Sequence, residues 1–297
     1  MRVFVTGASG WIGSASVDEL LAAGHEVLGL ARSDASAAAL EARGAAVLRG
    51  DLDELISIRT GAADADATIH LANKHDFAHP AVSNKAERDA IETIGETLVG
   101  SNRPFLFASG VAIPVPDRAL TESDASPFSG PDAPRGGGEN RAFDFVDQGV
   151  GAVSLRFAPT VHGQGDHGFI ATIAAVAREK GFAGYVGDGG NRWPAVHRSD
   201  AARAVRLALE QATPGTIVHA VAEEGIPTRV IAEAIGRSLG LPVASVPHEA
   251  TAGHFGWIGS FFALDVPASS TATQDLLGWT PSGPTLIEDL DAGAYLR

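Results

Sequence analysis

The sequence predicts an α/β protein with a doubly wound parallel sheet and a smaller C-terminal α/β lobe. Three observations lead to this prediction. Short apolar runs alternate with helical patterns in the first half, a glycine-rich loop follows the first run, and the alternation loosens after Pro159. Strands that alternate with helices form βαβ units, in which helices cover both faces of a parallel sheet. The length of 297 residues allows one large domain or two modest ones.

The predicted strands are short apolar runs, and the predicted helices carry apolar residues three or four positions apart. Strands are predicted at 3–6, 26–31, 46–48, 67–71, 105–108, 152–157 and 217–221. Helices are predicted at 14–23, 36–43, 85–100, 170–180, 198–211 and 228–239. Gly24 and Gly44 follow the first two helices, which is typical of helix C-termini.

The composition excludes several kinds of function. Lys and Arg number 22 and Asp and Glu 36, a formal charge of −14 that disfavours a nucleic-acid-binding surface. The absence of cysteine excludes disulfides, thiolate metal sites and a cysteine nucleophile. The sequence begins directly with a strand and a glycine loop and carries no apolar run of bilayer length, so we expect a cytoplasmic protein. No metal site is predicted.

The glycine-rich loop lies between the first strand and the first helix and reads Thr6-Gly7-Ala8-Ser9-Gly10-Trp11-Ile12-Gly13. Glycine permits the tight turn, the close approach of backbone to a pyrophosphate and close packing of helix on strand. Free N–H groups at the helix N-terminus stabilise a bound phosphate. The loop therefore predicts a Rossmann-type dinucleotide site.

The end of the second strand indicates which dinucleotide is used. An acidic residue at this point would bind the ribose 2′-hydroxyl of NAD, but the sequence has Arg32 followed by Ser33. A planar guanidinium suits a 2′-phosphate, so we predict NADP(H). The alternative is an exposed arginine without a ligand. Asp51 and Leu52, after the third strand, are placed to meet the adenine edge.

Taken together, these motifs resemble those of the extended short-chain dehydrogenase/reductases, the NAD(P)-dependent epimerase/dehydratase group. The matching segments extend over nearly the whole chain: 6–13, 50–52, 70–72, Ser109, 155–163, 187–189, 196–202 and 277–281. The resemblance implies a Rossmann domain formed by 1–163 and 196–216, and a substrate lobe formed by 164–195 and 217–297. By analogy, it also implies a homodimer through helices near 85–100 and 139–148.

The resemblance completes the predicted cofactor site, because it adds residues from the ends of later strands. The full predicted set is Thr6, Gly7, Ser9, Gly10, Trp11, Ile12, Gly13, Arg32, Ser33, Asp51, Leu52, Leu71, Ala72 and Pro159.

One element of the resembled family is missing from the sequence. The Tyr-x-x-x-Lys pair that carries catalysis in that family should follow Ser109, but the corresponding segment at 133–141 reads Ala-Pro-Arg-Gly-Gly-Gly-Glu-Asn-Arg. The chain has two tyrosines, Tyr185 and Tyr295, and no lysine between Ala86 and Glu179. We therefore predict catalytic residues of another kind.

The candidates for this chemistry follow the fourth and fifth strands, at the edge where open α/β sheets bind ligands. Ser109 can donate a hydrogen bond to a substrate oxygen, although a turn serine is the alternative. His75 titrates near neutrality and is a candidate acid, and Lys74 is a candidate replacement for the lost lysine. The alternative for His75 is a solvated loop side chain. Glu139 is either a carboxylate base or, more simply, a glutamate in the first turn of a helix.

Four residues are candidates for substrate contact. His162 and His167 lie in the loop after Pro159, and Arg192 and Trp193 lie beside a glycine turn of the predicted substrate lobe. The aromatic group at 255–262 is more typical of a core or an interface than of a pocket wall.

The sequence thus predicts an NADP(H)-dependent oxidoreductase for a small organic carbonyl or alcohol, in which Ser109 orients the reacting oxygen. Two alternatives remain. One is an NADP-binding sensor that has lost catalysis, and the other is an epimerase or dehydratase of a nucleotide-linked sugar.

Overall fold

The computed structural model describes residues 1–296, which form twelve strands and twelve α-helices. The strands are β1 (Arg2–Thr6), β2 (Glu26–Ala31), β3 (Ala46–Arg49), β4 (Ala67–His70), β5 (Pro104–Gly110), β6 (Gly151–Phe157), β7 (Thr160–His162), β8 (Ala183–Val186), β9 (Arg192–His197), β10 (Ile217–Ala220), β11 (Glu223–Pro227) and β12 (Val243–Val246).

The helices alternate with these strands in the first half and cluster near the end of the chain. They are α1 (Trp11–Ala22), α2 (Asp34–Glu41), α3 (Leu55–Ala63), α4 (Pro80–Leu98), α5 (Gly138–Phe143), α6 (Phe169–Lys180), α7 (Arg198–Gln211), α8 (Thr228–Leu239), α9 (Thr251–Phe255), α10 (Gly259–Phe262), α11 (Thr271–Leu277) and α12 (Leu286–Asp291). None of the helices described for residues 1–296 combines the length and the apolar character that crossing a bilayer requires.

Seven parallel strands form the central sheet in the order β10-β6-β5-β4-β1-β2-β3. Successive strands are added to one side of β1 as far as β3 and to its other side from β4 onwards. Ligands of doubly wound sheets bind at such a switch point. The loops after β1, β4 and β5 therefore open on one crevice. The predicted fold class, a Rossmann-type doubly wound sheet with a smaller α/β lobe, is confirmed.

Helices bury an apolar layer on each face of this sheet, as the near-continuous apolar strands require. One layer packs α1, α2 and α7 against the sheet through residues such as Val17, Leu40 and Val205. The other layer packs α3, α4 and α5 through residues such as Ile58 and Ile94. The glycine loop and the strand ends are thus held on a rigid base.

The smaller lobe has a core of its own. Strands β11, β9 and β7 form one small sheet, and β12 and β8 form another. Helices α6, α8 and α12 pack on them around fully buried side chains such as Trp193 and Phe262. This lobe lies beyond the carboxyl ends of β6 and β10, so it can form the far wall of the crevice.

The division of the chain between sheet and lobe differs from the sequence-based one after residue 216. Strand β10 pairs with β6 as the edge of the seven-stranded sheet, although the sequence places 217–297 in the lobe. Leu277 and Trp279 are also buried in the Rossmann core beside α7. Both additions extend the apolar layer that packs α7 on the sheet.

Candidate functional site

The glycine loop forms a cradle that admits no side chain at two of its glycines. Gly7 has φ +67°, and a Cβ on it would lie 2.6 Å from the backbone nitrogen of Ala72. A Cβ on Gly13 would lie 2.0 Å from the carbonyl oxygen of Gly7. No side chain caps the N-terminus of α1 at Gly10, so its first N–H groups remain available. These features fit a dinucleotide pyrophosphate.

Trp11 connects this cradle to β7 and to the loop that follows β7. Its indole Nε1 donates to the carbonyl oxygen of Val161 at 2.7 Å, and its ring contacts the His167 ring edge-on at 5.8 Å. The Arg198 guanidinium lies 4.3 Å from the ring centroid. The sequence analysis assigned Trp11 to the cofactor, and the structure adds that it fixes the relative position of two loops at the crevice.

The opposite end of the crevice carries the residues predicted for the adenosine half. Arg32 and Ser33 are exposed where β2 ends, and Ser33 Oγ accepts the backbone N–H of Ser36 at 3.2 Å to cap α2. The backbone carbonyl of Ser33 accepts a hydrogen bond from Arg49 at 2.7 Å. Two arginines therefore lie beside the place where a ribose 2′-substituent would be.

Lys74 belongs to this adenosine end. Its ammonium contacts both carboxylate oxygens of Asp53, at 2.7 and 2.8 Å. Asp53 follows Asp51 and Leu52, the pair assigned to the adenine, and a cavity of 530 Å³ opens between Asp53, Lys74 and the first turns of α4. Lys74 therefore lies near the predicted adenine site and is engaged by a carboxylate there.

Ser109 lies at the end of β5 above a buried ion pair. The Glu139 carboxylate accepts hydrogen bonds from Arg156 Nε at 2.9 Å and Ser154 Oγ at 2.8 Å. Burial opposes ionisation of Glu139, but Arg156, with help from Ser154 and Ser109, holds its pKa below the ordinary value. Glu139 is therefore an ionised acceptor near Ser109, and it lies in the first turn of α5, as the simpler interpretation expected.

Arg135 occupies the segment where the resembled family has its catalytic tyrosine. It has φ +54°, and its Nη2 donates to Glu87 Oε1 at 2.6 Å and to the carbonyl oxygen of Ala108 at 2.8 Å. The Ala108 carbonyl belongs to the residue that precedes Ser109. Glu87 is buried and also accepts from Asn73 Nδ2 at 2.8 Å. The sequence analysis missed Arg135, although its place in the segment was a usable signal.

His75 lies in the loop after β4, the strand next to β5 in the sheet. Its φ is +50°, and its backbone N–H donates to Asn73 Oδ1 at 2.8 Å. Partial desolvation and then the positive charge of Arg135 lower the pKa of His75 below 6.5. The imidazole is therefore mostly neutral at pH 7, whereas the sequence led us to expect titration near neutrality.

The four residues predicted to contact substrate have different surroundings. His162 is fully buried, and its Nδ1 lies 2.6 Å from Asp289 Oδ2 of α12. Trp193 is 1% exposed in the core of the lobe. Arg192 is held by Asp265 through two contacts of 3.0 and 2.8 Å. His167 alone of the four is exposed at the crevice.

A group of four aromatic side chains spans the crevice, and the sequence analysis did not identify it. We call Phe77, Phe169, Trp257 and Phe261 the cleft aromatic cluster. The rings of Phe77 and Trp257 stack with centroids 4.1 Å apart and an interplanar angle of 10°. Phe169 contacts Phe77 and Trp257 at 5.9 and 5.7 Å. The predicted aromatic group at 255–262 is therefore divided, since Phe255 and Phe262 are core residues.

The fold and the cradle define a dinucleotide-binding protein of the extended short-chain dehydrogenase/reductase type. The model of the NAD dependent epimerase/dehydratase family matches residues 3–131. A protein of Schizosaccharomyces pombe is 47% identical over 295 residues, covering 99% of this chain and 100% of its own. A protein of Saccharomyces cerevisiae is 42% identical over 299 residues and covers 100% of both chains. The chain belongs to the NAD dependent epimerase/dehydratase family.

More distant similarities point to the same group. The 2-alkyl-3-oxoalkanoate reductase of Stenotrophomonas maltophilia is 28% identical over 261 residues, covering 82% of this chain and 77% of the reductase. The structure of dTDP-glucose 4,6-dehydratase from Streptomyces venezuelae, with NAD bound, has a TM-score of 0.79 at 22% identity and covers 99% and 96% of the two chains. The chain is thus an NAD(P)-dependent oxidoreductase of the short-chain dehydrogenase/reductase superfamily.

Proposed function

We propose that the protein is an NADP(H)-dependent reductase of small organic carbonyl compounds, with oxidation of the matching alcohol as the reverse reaction. The observation that carries this proposal is the hydrogen bond from Arg135 to the carbonyl oxygen of Ala108, the residue before Ser109, at the end of β5. His75 follows the neighbouring strand β4, and burial together with the charge of Arg135 lowers its pKa. The similarity to a 3-oxoacid reductase supports a carbonyl substrate. When bound, the cofactor supplies or accepts the hydride.

The cofactor would be held along the whole crevice. The N–H groups of Trp11 and Ile12 at the start of α1 would bind the pyrophosphate. Arg32 and Ser33 would bind the 2′-phosphate, while Asp51 and the segment at Leu71-Ala72 would border the adenine. Pro159, half-buried between β6 and β7, would lie over the nicotinamide.

The substrate oxygen would lie between Ser109 and Arg135. Ser109, at the end of β5, would donate a hydrogen bond from its hydroxyl to the substrate oxygen, with the ionised Glu139 carboxylate nearby. Arg135 carries a permanent positive charge beside the same strand end, and fixed charge aimed at a developing oxyanion lowers the barrier. His75, on the facing loop, would deliver the proton to the product oxygen. Here an arginine and a histidine share the tasks of the missing tyrosine.

A second candidate function is an NADP-binding sensor without turnover. The observation that favours it is the Arg135–Glu87 ion pair, because Glu87 already neutralises the charge at the place of the tyrosine. The two functions differ in one measurable respect, since a sensor binds NADPH but leaves it reduced.

The test is a screen of NADPH oxidation against aldehydes, ketones and activated alkenes. We expect turnover of one class, and we expect Ser109→Ala to lower kcat by about 10²- to 10³-fold, the usual effect of losing one donor to an oxyanion. Ser101→Ala, an exposed serine at the opposite end of β5, is the control and should keep full activity. Tight NADPH binding without any oxidation would instead establish the sensor.

The preference for NADP(H) is tested at Arg32. We expect Arg32→Ala to weaken NADPH binding by about 10- to 100-fold, because a hydrogen bond to a charged group contributes about 1.5–3 kcal/mol. Binding of NADH, which lacks the 2′-phosphate, should not change. The control is Arg59→Ala, an exposed arginine on α3. Equal affinity of the wild type for NADH and NADPH would refute the preference.

We also propose, by analogy with the family, a homodimer through α4 and α5. Light scattering tests this directly, and the mass of a single chain would exclude it.

A further inference from the structure

The cleft aromatic cluster joins the two parts of the molecule. Phe77 comes from the loop after β4, and Phe169 begins α6. Trp257 lies in the turn before α10, and Phe261 lies in α10. Phe77 and Trp257 remain 38% and 43% exposed even though they stack on each other. Contiguous exposed apolar surface of this kind is typical of ligand grooves and interaction sites.

The cluster is continuous with the proposed reaction site. The rings of Phe77 and His75 are 6.1 Å apart on the same loop. Phe169 follows His167 by two residues and contacts both Phe77 and Trp257. A substrate whose carbonyl lies at Ser109 and His75 therefore extends next onto aromatic surface, and small-molecule sites are typically lined in this way.

The charges of the smaller lobe disfavour an anionic substrate. The segments 164–195 and 221–296 together contain twelve Asp and Glu residues but five Lys and Arg residues. Each of these five cations already contacts a carboxylate or a backbone carbonyl: Arg178 with Tyr295, Lys180 with Glu179, Arg192 with Asp265, Arg229 with Glu233, and Arg237 with Asp291. A phosphate in this lobe would have to displace one of these partners.

We infer that the site takes an uncharged carbonyl compound whose carbonyl is carried on a flat unsaturated ring. The inference rests on the proposed function for the position of the carbonyl. The stack at 4.1 Å occupies one face of each ring, and the part of Trp257 and Phe77 that stays exposed is aromatic surface, on which a flat ring packs favourably. Trp257 and Phe77 are thus specificity-determining residues, and the ring of the substrate packs on them while its carbonyl reaches Ser109.

The test compares benzaldehyde with cyclohexanecarbaldehyde, which has the same carbon skeleton without the flat ring. We expect the wild-type enzyme with NADPH to prefer benzaldehyde. Trp257→Leu and Phe77→Leu, which keep the surface apolar, should each reduce this preference about 3- to 10-fold by raising KM for benzaldehyde while kcat stays unchanged. Ile56 is an exposed apolar residue on α3, and Ile56→Ala should leave KM and kcat for both aldehydes unchanged.

A calorimetric measurement separates this inference from the proposed function. Benzaldehyde is titrated into the protein loaded with oxidised NADP, which has no hydride to give to the carbonyl. We expect binding that Trp257→Leu weakens, and no comparable binding of UDP-glucose. If no aldehyde is ever reduced but this binding is observed, the proposed function fails and the ring site stands. No preference for the flat ring, a preference that survives both leucine variants, or tighter binding of UDP-glucose would overturn the inference.

Discussion

Arg135 has a left-handed backbone conformation that arginine rarely adopts. Such a conformation costs about 1–2 kcal/mol in a residue with a Cβ. Two glycines with positive φ follow it, so the chain makes a compact left-handed turn before α5. The turn directs the Arg135 side chain to Glu87 and to the carbonyl oxygen of Ala108. Strain of this kind is concentrated at functional sites, which agrees with a role at the end of β5.

At the same scale, the lowered pKa of His75 leads to a prediction of pH dependence. If His75 protonates the product oxygen, carbonyl reduction requires the imidazolium, which is present only below a pKa that is itself less than 6.5. We therefore expect kcat/KM for reduction to fall as the pH rises through this pKa, and to be low already at pH 7. His75→Gln should remove this dependence.

The control for this profile is His79→Gln, an exposed histidine of the same loop that forms a surface contact with Asp76. It should keep the wild-type profile. A profile that is unchanged in His75→Gln would show that the proton comes from another group.

At the scale of elements, local signals predicted the fold well wherever the chain itself marks the ends of an element. The helices predicted at 198–211 and 228–239 coincide with α7 and α8, since His197 caps the first and Gly240 ends the second in a left-handed conformation. By contrast, α4 begins at Pro80, five residues before the predicted start. Proline at the first position of a helix is favourable, and this signal lies outside the apolar repeat.

The candidate site could be predicted from sequence only where its parts are local. The glycine loop and Ser109 each lie in a motif that one short segment carries. The contact of Arg135 with Glu87, and that of Phe77 with Trp257, join segments far apart in the sequence, and no local pattern encodes them. His162 depends on tertiary packing in the same way, because a motif predicted it to contact substrate, and in the folded chain its side chain is fully buried beside Asp289.

The glycine cradle gives a prediction at this scale. Gly13→Ala should abolish dinucleotide binding, because the new Cβ would lie 2.0 Å from the carbonyl oxygen of Gly7 and must push α1 away from the loop. Gly253→Ala is the matched control, since a Cβ on this helical glycine meets no atom within 4 Å. We expect it to bind NADPH normally and to be up to about 1 kcal/mol more stable.

Both variants are measured by NADPH titration and by urea unfolding. If Gly13→Ala binds NADPH as tightly as Gly253→Ala does, the close contact between α1 and the glycine loop is not required for the site.

At the scale of the whole molecule, three fully buried histidines link stability to pH. Burial lowers the pKa of His70, His162 and His219 below 6.5. In the unfolded chain these side chains take up protons near pH 6.5, while in the folded protein they stay neutral. The unfolded state therefore binds more protons as the pH falls, and the free energy of unfolding should decrease below about pH 6.5, by up to about 1.4 kcal/mol per pH unit for each histidine.

Urea unfolding between pH 5.5 and 8, a range that includes the ordinary histidine pKa of about 6.5, checks this expectation. His219→Gln should lessen the slope, and His79→Gln, exposed on its loop, should not. Asp166 and Glu223, whose pKa values burial raises, act in the opposite direction at lower pH. A free energy of unfolding that is constant across this range would contradict the assignment of neutral buried histidines.

The position of β10 at the edge of the central sheet also determines when the sheet can close during synthesis. Strand β6 is entirely buried in the finished protein, between β5 and β10. Strand β10 emerges from the ribosome only after all of β7, α6, β8, β9 and α7. Until then the edge of β6 that faces away from β5 is unpaired in the nascent chain, and such apolar strand edges pair with other chains. Trp279 completes the same core later still. The order of the sequence therefore exposes this protein to aggregation while it is being made, and a chaperone that covers strand edges should raise the yield of folded enzyme.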